Sequence, residues 1–204
     1  MTIASKLLPI AALSFFTSAA LATTTPFVGG TLGQTSANFN ESSRASVQMP
    51  GVNFDSIIDD SGSWGLRAGR DLGQTRYYVS YDYVSDSYRS AARIRHQMLS
   101  AAYDLMLPLD GGSTRLFAGA NAGLTRLDQK TGGYRHDDDW GIHAGIQAGL
   151  LRILADNVEL EAGYRYAKHE DAAVDFKPRG ASTRSGSARL SSTEQLYMGV
   201  NWRF

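Results

Sequence analysis

The 204-residue chain is electrically neutral overall, with 20 basic and 20 acidic residues, and it contains no cysteine. The lack of cysteine excludes disulfide bonds and thiolate metal sites. The balanced charge differs from the strongly basic footprint of nucleic-acid-binding proteins, so we expect no nucleic-acid partner. A chain of this length suits a single domain.

The first 22 residues have the pattern of a secretory signal peptide. Lys6 is their only charged residue, a mostly apolar stretch runs from Leu7 to Phe16, and Ala20-Leu21-Ala22 resembles a cleavage site. The apolar stretch is short for a membrane-spanning helix, which needs about 20 residues. We therefore predict a cleaved signal peptide over residues 1–22 and an exported mature domain over residues 23–204. A retained N-terminal anchor helix is the alternative.

In eight segments between residue 27 and the C-terminus, apolar residues recur at every second position, which is the period of a β-strand and not of a helix. The first strand is predicted over Phe27–Gln34. Counted along their apolar faces, the eight segments run from Val28 to Leu32, Trp64 to Ala68, Tyr77 to Tyr83, Leu99 to Leu107, Leu116 to Leu124, Trp140 to Leu150, Val158 to Tyr166 and Leu196 to Phe204. Tilted strands of about ten residues are long enough to cross the apolar band of a membrane barrel.

Short and long connections alternate between these strands. The short connections lie near residues 72–75, 108–113 and 155–157, and the long polar ones near residues 37–61, 86–93, 127–138 and 168–191. This alternation is typical of outer-membrane barrels, which have short periplasmic turns and longer outer loops. With an even number of strands, both termini are predicted to lie on the periplasmic side.

Alternation alone would also fit a soluble barrel, in which the apolar face lines a ligand cavity. Three features favour a membrane barrel. The four lysines (Lys6, Lys130, Lys168 and Lys177) lie outside the predicted strands, whereas water-facing strands commonly use lysine. The opposite face mixes small polar residues with charges of both signs, as in the filled interior of a small barrel. Tryptophan and tyrosine concentrate near strand ends, where interfacial girdles lie.

We therefore predict an all-β fold, an eight-stranded antiparallel up-and-down transmembrane β-barrel. A soluble periplasmic lipocalin-like binding barrel is the alternative. The last strand, Tyr197-Met-Gly-Val-Asn-Trp-Arg-Phe204, alternates between two faces and ends on phenylalanine. Together with the strand count, the loop alternation and the aromatic positions, it resembles the small eight-stranded outer-membrane barrels, the OmpA/OmpX-like family with the outer membrane protein beta-barrel domain.

The resemblance implies a monomeric, non-enzymatic protein of the cell outer membrane in a Gram-negative envelope. Its expected role is envelope integrity or surface interaction through the long extracellular loops. The resemblance also implies that Tyr197, Trp202 and Phe204 belong to a C-terminal signal read by the barrel-assembly machinery during biogenesis. Anchoring of Phe204 in lipid is the alternative explanation for that residue.

The charged residues predicted to face the lumen should form ion pairs, because a small barrel holds little water and an unpaired buried charge is costly. These residues are Arg67, Arg76, Asp82, Asp104, Arg115, Glu159, Glu161, Arg165 and Arg203. Antiparallel pairing of the last two strands should place Glu159 near Arg203. We predict a structural network that plugs the barrel, and a narrow porin-like channel along the same residues is the alternative.

A lipid-modifying enzyme is a weaker alternative, because a deacylase-like site needs histidine and serine close together. His96 and Ser100 share a face but lie about 13 Å apart along a strand, and the sequence places no serine near His143. No nucleotide-binding, metalloprotease or nucleophile-elbow motif is present. We predict no catalytic residue, no cofactor and no metal, although the acidic segments His136–Asp139 and His169–Asp171 could bind a divalent cation.

The last long connection carries basic residues among serine, glycine and threonine. They are Lys177, Arg179, Arg184 and Arg189. Because arginine forms charge-assisted hydrogen bonds with phosphate, we predict that these residues contact lipopolysaccharide in the outer leaflet. A purely solvated loop is the alternative. The sequence does not name a receptor for the loops.

Overall fold

The computed structural model describes residues 24–41, 61–88, 92–131, 137–170, 173–176 and 186–204. Almost all of these residues lie in β-strands. The strands are β1 (Thr25–Glu41), β2 (Ser61–Asp71), β3 (Thr75–Tyr88), β4 (Ala92–Leu109), β5 (Thr114–Thr131), β6 (Asp137–Ala155), β7 (Val158–Glu170), β8 (Ala173–Phe176) and β9 (Gly186–Arg203). Within this part of the chain, no helix is long and apolar enough to cross a membrane.

The strands close into a barrel by antiparallel pairing. From β1 to β7 each strand pairs with the next in the chain, β7 pairs with β9, and β9 pairs with β1. The short strand β8 also pairs with β9, with Ala173 opposite Arg189, beyond the point where Lys168 of β7 lies opposite Ser192. Because β7 and β8 run in the same direction along β9, β8 continues β7. The prediction of an eight-stranded up-and-down barrel is confirmed.

Three short turns lie together at one end of the barrel, at residues 72–74, 110–113 and 156–157. Gly73, Gly111 and Gly112 adopt positive φ angles there, which glycine does at no steric cost. The start of β1 and the end of β9 lie at the same end of the barrel, where the Phe204 amide donates a hydrogen bond to the Pro26 carbonyl at 3.1 Å. We call this the short-turn end and the opposite end the long-loop end.

The predicted division into two faces is confirmed on all eight strands. Most of the large apolar side chains point outward, and Leu32, Leu66 and Ile146 are 71%, 60% and 66% exposed. The charged and polar side chains on the alternate positions are buried. An ionic interior with an apolar exterior is the reverse of a soluble barrel, so the lipocalin-like alternative is wrong.

The strands extend farther toward the long-loop end than the sequence pattern indicated. β1, predicted over Phe27–Gln34, runs from Thr25 to Glu41. Only residues 89–91 separate β3 from β4, and only residues 132–136 separate β5 from β6. The predicted connections near residues 86–93 and 127–138 are therefore mostly strand. Backbone pairing continues there through polar residues, which carry no apolar alternation to mark a strand.

The longer strands also correct the prediction that lysine avoids them. Lys130 lies in β5 and Lys168 lies in β7, where its side chain is exposed. Both positions are in the long-loop halves of their strands, past the most apolar stretches. Lysine is therefore absent from the apolar belt itself but not from the strands that continue beyond it.

Glycine on the inward face makes room for large side chains in the lumen. A Cβ atom added to Gly163 would lie 2.7 Å from Tyr197 Oη and 3.0 Å from Phe117 Cζ. Tyr197 and Phe117 pack with Met106 and Leu151 in one buried cluster, and Phe27 packs with Tyr78 and Ala102 in another. The interior is therefore filled by side chains from all around the barrel wall.

Candidate functional site

Glu161 on β7 is the centre of an ion-pair network inside the lumen. Its Oε1 accepts a hydrogen bond from Arg67 Nη1 at 2.7 Å, and its Oε2 accepts one from Arg76 Nη1 at 2.6 Å. Tyr197 Oη donates to Oε1 at 2.8 Å, and Asn201 Nδ2 donates to Oε2 at 3.4 Å. All five side chains are buried. The carboxylate therefore has two cationic and two neutral donors, and no water is needed to satisfy it.

The network extends from Arg76 toward the middle of the lumen. Arg76 Nη2 donates to Asp104 at 2.6 Å, and Gln147 Nε2 donates to the other Asp104 oxygen at 2.6 Å. Arg165 Nε donates to Gln147 at 3.1 Å, while Arg165 Nη1 donates to Asp82 at 2.8 Å. Gln147 thus joins two charged groups into one continuous set of hydrogen bonds.

A second ionic group lies near the short-turn end. Arg115 donates to Asp71 at 2.5 Å and to Glu159 at 2.6 Å. Arg203 Nη1 lies 3.4 Å from Glu159, as expected from the pairing of the last two strands. Asp71 was missed in the sequence because it borders the turn at residues 72–74, where aspartate is common. Its Oδ1 does accept a turn hydrogen bond, from the Gly73 amide at 2.7 Å.

The structure brings all nine predicted lumen residues into these two groups and adds Asp71. The members are five arginines (Arg67, Arg76, Arg115, Arg165 and Arg203) and five carboxylates (Asp71, Asp82, Asp104, Glu159 and Glu161). Their formal charges therefore cancel. This balance fits the rule that buried charges are paired.

Two of the ion pairs span the full width of the barrel. Arg76 and Asp82 lie on β3, whereas Glu161 and Arg165 lie on β7, four strands away in an eight-stranded ring. The pairs Arg76–Glu161 and Arg165–Asp82 therefore join opposite walls. The guanidinium of Arg76 also lies 5.0 Å from the ring centre of Phe117 on β5. These contacts fill the cross-section of the lumen at its centre.

A third inward group, nearer the long-loop end, is built from histidines and hydroxyls. Ser100 Oγ lies 2.9 Å from His143 Nε2, and Thr125 Oγ1 lies 3.0 Å from both His143 Nδ1 and His169 Nδ1. His169 Nε2 lies 2.9 Å from Thr193 Oγ1. The chain of contacts therefore links β4, β6, β5, β7 and β9. We call these residues, together with His96, the histidine layer.

His96 belongs to this layer through its ring contacts. Its ring centre lies 5.4 Å from that of His169, which in turn lies 5.5 Å from that of His143. His96 is 1% exposed, and neither of its ring nitrogens has a hydrogen-bond partner among the described residues. His169 also points inward and is buried, so its position does not fit the exposed cation-binding loop that the acidic segment could have formed.

The expectation that no serine lies near His143 was wrong as well. Ser100 and His143 are both paired in register with Gly123 on the strand between them. Because glycine has no side chain, the two residues meet across it. The other nitrogen of His143 faces a threonine hydroxyl, whereas a nucleophile triad would place a carboxylate there. The geometry is that of a buried hydrogen-bonded layer.

The remaining predicted residues lie elsewhere on the molecule. Trp202 and Phe204 face outward and are exposed, whereas Tyr197 is buried in the lumen against Glu161. Arg189 is exposed on β9. Lys177, Arg179 and Arg184 lie outside the described residues, as does His136 of the other acidic segment.

A comparison with known families and structures gives a consistent result. The family model for the outer membrane protein beta-barrel domain matches residues 8–204. The solution structure of outer membrane protein H (OprH) from P. aeruginosa is 39% identical, with 88% of this chain and 99% of that chain covered and a TM-score of 0.56. No curated protein sequence matches the chain.

Two more distant structures share the fold. Neisserial surface protein A (NspA) is 17% identical, with 89% of this chain and 97% of that chain covered and a TM-score of 0.60. OprG from Pseudomonas aeruginosa is 11% identical, with 88% and 95% covered and a TM-score of 0.60. The apolar exterior, the closed eight-stranded sheet and the family match over almost the whole chain lead to one conclusion: the chain belongs to the outer membrane protein beta-barrel domain family, as the resemblance predicted.

Proposed function

We propose that the protein is a non-conducting, non-enzymatic structural barrel of the outer membrane that interacts with its surroundings at the long-loop end. The observation that carries this proposal is the neutral ionic network across the lumen. An ion moving through the barrel would have to separate pairs such as Arg76–Glu161, which join opposite walls at 2.6 Å. Separating a buried pair leaves uncompensated charge, which is strongly unfavourable. A structural role fits this interior better than a narrow channel does.

Single-channel recording tests the absence of conduction. The purified protein is expected to give no steady conductance step in planar lipid bilayers at neutral pH, because the cross-lumen pairs exclude a continuous water path. Heat-dependent mobility of the same preparation on SDS gels confirms that the barrel is closed, and a large-pore porin in parallel confirms that insertion can be detected. Reproducible steps of one size would contradict the proposal and favour the channel.

The proposed orientation places the short-turn end, with the start of β1 and the end of β9, on the periplasmic side. The long-loop end then faces the cell exterior. The position of basic residues supports it. Arg189 and Lys168 are exposed in the long-loop halves of β9 and β7. Arg126, on β5, is 5.5 Å from the ring of Trp140 and pairs with Asp138 at 3.0 Å. Cations beside an aromatic girdle suit the anionic headgroups of an outer leaflet.

We propose lipopolysaccharide as the anionic partner at this end, through Arg189 together with Lys177, Arg179 and Arg184. Changing all four residues to glutamate is expected to reduce the lipopolysaccharide that co-purifies with the barrel, because repulsion replaces charge-assisted bonds to phosphate. Arg189→Glu and Arg152→Glu form a matched pair of single variants, since Arg152 is an exposed arginine near the short-turn end of β6. Unchanged lipopolysaccharide in the fourfold variant would end this part of the proposal.

The C-terminal strand is proposed to serve in assembly as well as in closure. Trp202 and Phe204 are 51% and 68% exposed on the outward face and can contact lipid or an assembly factor. Tyr197 points inward, so its proposed contribution is to close the barrel through its hydrogen bond to Glu161. The barrel pairs β1 with β9 within one chain, which supports a monomer.

A further inference from the structure

The histidine layer differs from the ionic groups below it, because the described residues place no carboxylate in an ion pair with its rings. Within the described part of the chain, the side-chain hydrogen bonds and ring contacts of His96, His143 and His169 are made to hydroxyl groups or to one another. Histidine is the side chain whose ordinary titration falls between pH 5 and 8. Three such rings packed at centre-to-centre distances of 5.4 and 5.5 Å would repel one another if they were charged.

The hydrogen bonds of the layer fit neutral rings. A neutral imidazole has one donor and one acceptor nitrogen, and a hydroxyl has one proton. All four contacts can then be made with each group donating to the next in one direction. The order of the groups is Ser100, His143, Thr125, His169 and Thr193. A proton added to either ring turns its acceptor nitrogen into a donor, and a neighbouring hydroxyl loses its acceptor.

The charged groups that face the layer do not compensate for an added proton. Asp82 on β3 and Arg165 on β7 are close enough to act electrostatically on His143, but they are paired with each other at 2.8 Å. The residues paired in register with the layer from the neighbouring strands are uncharged, and they are Ala37, Ser80, Val84, Met98, Gly123, Leu127, Gly141 and Ala167. Arg165 contributes further repulsion toward a charged His143.

We infer that His96, His143 and His169 form an acid-sensitive layer that loosens the long-loop half of the barrel when the pH falls, while the ionic groups beneath it stay closed. With the proposed orientation, this layer lies on the external side of the ionic groups. Protonated rings separate, the hydroxyl contacts break, and the strands that carry them lose pairing at their long-loop ends. The groups below are held by direct Arg–carboxylate hydrogen bonds, in which the histidine rings take no part.

Amide hydrogen exchange tests the inference on the whole protein in lipid nanodiscs at pH 7.5 and pH 5.0, with rates corrected for intrinsic exchange. At pH 5.0 we expect at least a tenfold loss of protection around residues 95–100, 140–145 and 165–170, and no loss around residues 76–82 and 103–107. Equal corrected protection of the first three segments at both pH values would overturn the inference.

A triple variant assigns the response to the layer. His143→Gln and His169→Gln keep one donor and one acceptor group, and His96→Leu suits a side chain that makes no hydrogen bond. The combined variant is expected to have the same protection at both pH values, whereas His136→Gln, which changes the fourth histidine of the chain, should respond as the wild type does. A triple variant that still loses protection at pH 5.0 would overturn the inference.

A measurement on the wild type covers the case in which the triple variant does not form a heat-resistant barrel. Nitrogen-15 NMR of the histidine rings is expected to show three rings taking up protons over the same pH interval in which protection is lost. Proton uptake by these rings with protection fully retained would overturn the inference.

Discussion

Replacing Glu161 with glutamine is expected to destabilise the barrel by about 3–5 kcal/mol, which is typical of removing one partner of a buried ion pair. Glu161 holds Arg67 and Arg76 together, and both guanidinium groups are buried. Arg76 keeps Asp104 as a partner in the variant. Arg67 is left without a carboxylate partner, because Glu161 is the only carboxylate that the described residues bring within ion-pair distance of it. The free energy of unfolding of the barrel in lipid vesicles, from a guanidinium titration, measures the effect.

Glu170→Gln is the matched control, because Glu170 is an exposed glutamate on the same strand. Exposed substitutions of this kind usually change stability by less than roughly 0.5 kcal/mol. A Glu161→Gln barrel that unfolds within about 1 kcal/mol of the wild type would contradict the assignment of Glu161 as the centre of the network. That result would mean that water reaches Arg67 and solvates it.

The two faces of the barrel could be predicted from the sequence because lipid imposes them residue by residue. Leu66 and Arg67 are neighbours in the chain, and the two-residue period of a strand sends one outward and the other inward. No long-range information is needed for that assignment. The same local rule identified the nine charged residues that face the lumen.

The partners across the lumen could not be predicted, because those pairs depend on the curvature of the closed sheet. Arg76 binds Asp104 on the adjacent strand but also Glu161 on the opposite wall. The proximity of Glu159 and Arg203 was predictable because their strands are adjacent in the barrel. Sequence pattern gives the direction of a side chain but not the distance to a residue four strands away.

The histidine layer shows the same limit on a smaller scale. Ser100 and His143 are 43 residues apart in the chain and meet because Gly123 leaves a gap between them. The signal available in the sequence was an inward-facing glycine flanked on both sides by polar inward residues. To use this signal one must know which residues of neighbouring strands lie opposite each other. The sequence does not give that register, because the connecting loops vary in length.

Leu66→Arg is expected to destabilise the barrel by about 2–4 kcal/mol, the cost of arginine at the middle of a membrane barrel's lipid face. Leu66 faces outward, lies opposite Gly30 on β1 and Tyr81 on β3, and is five residues from the short-turn end of β2. The native chain already carries arginine at the next position, but there the side chain points into the lumen and binds Glu161. The variant therefore tests whether the cost of arginine comes from the lipid-facing position and not from the residue type alone. Unfolding in lipid vesicles measures it.

Leu154→Arg supplies the depth control for this variant. Leu154 is 59% exposed, close to the 60% of Leu66, but it lies one residue before the end of β6 at the short turns. Arginine near the membrane interface costs only about 0–1 kcal/mol, because the side chain can reach water and headgroups. Equal destabilisation by the two variants, or none at Leu66, would place the hydrocarbon belt elsewhere on the barrel. A large cost at Leu66 and a small one at Leu154 would fix the lower edge of that belt between the levels of these residues.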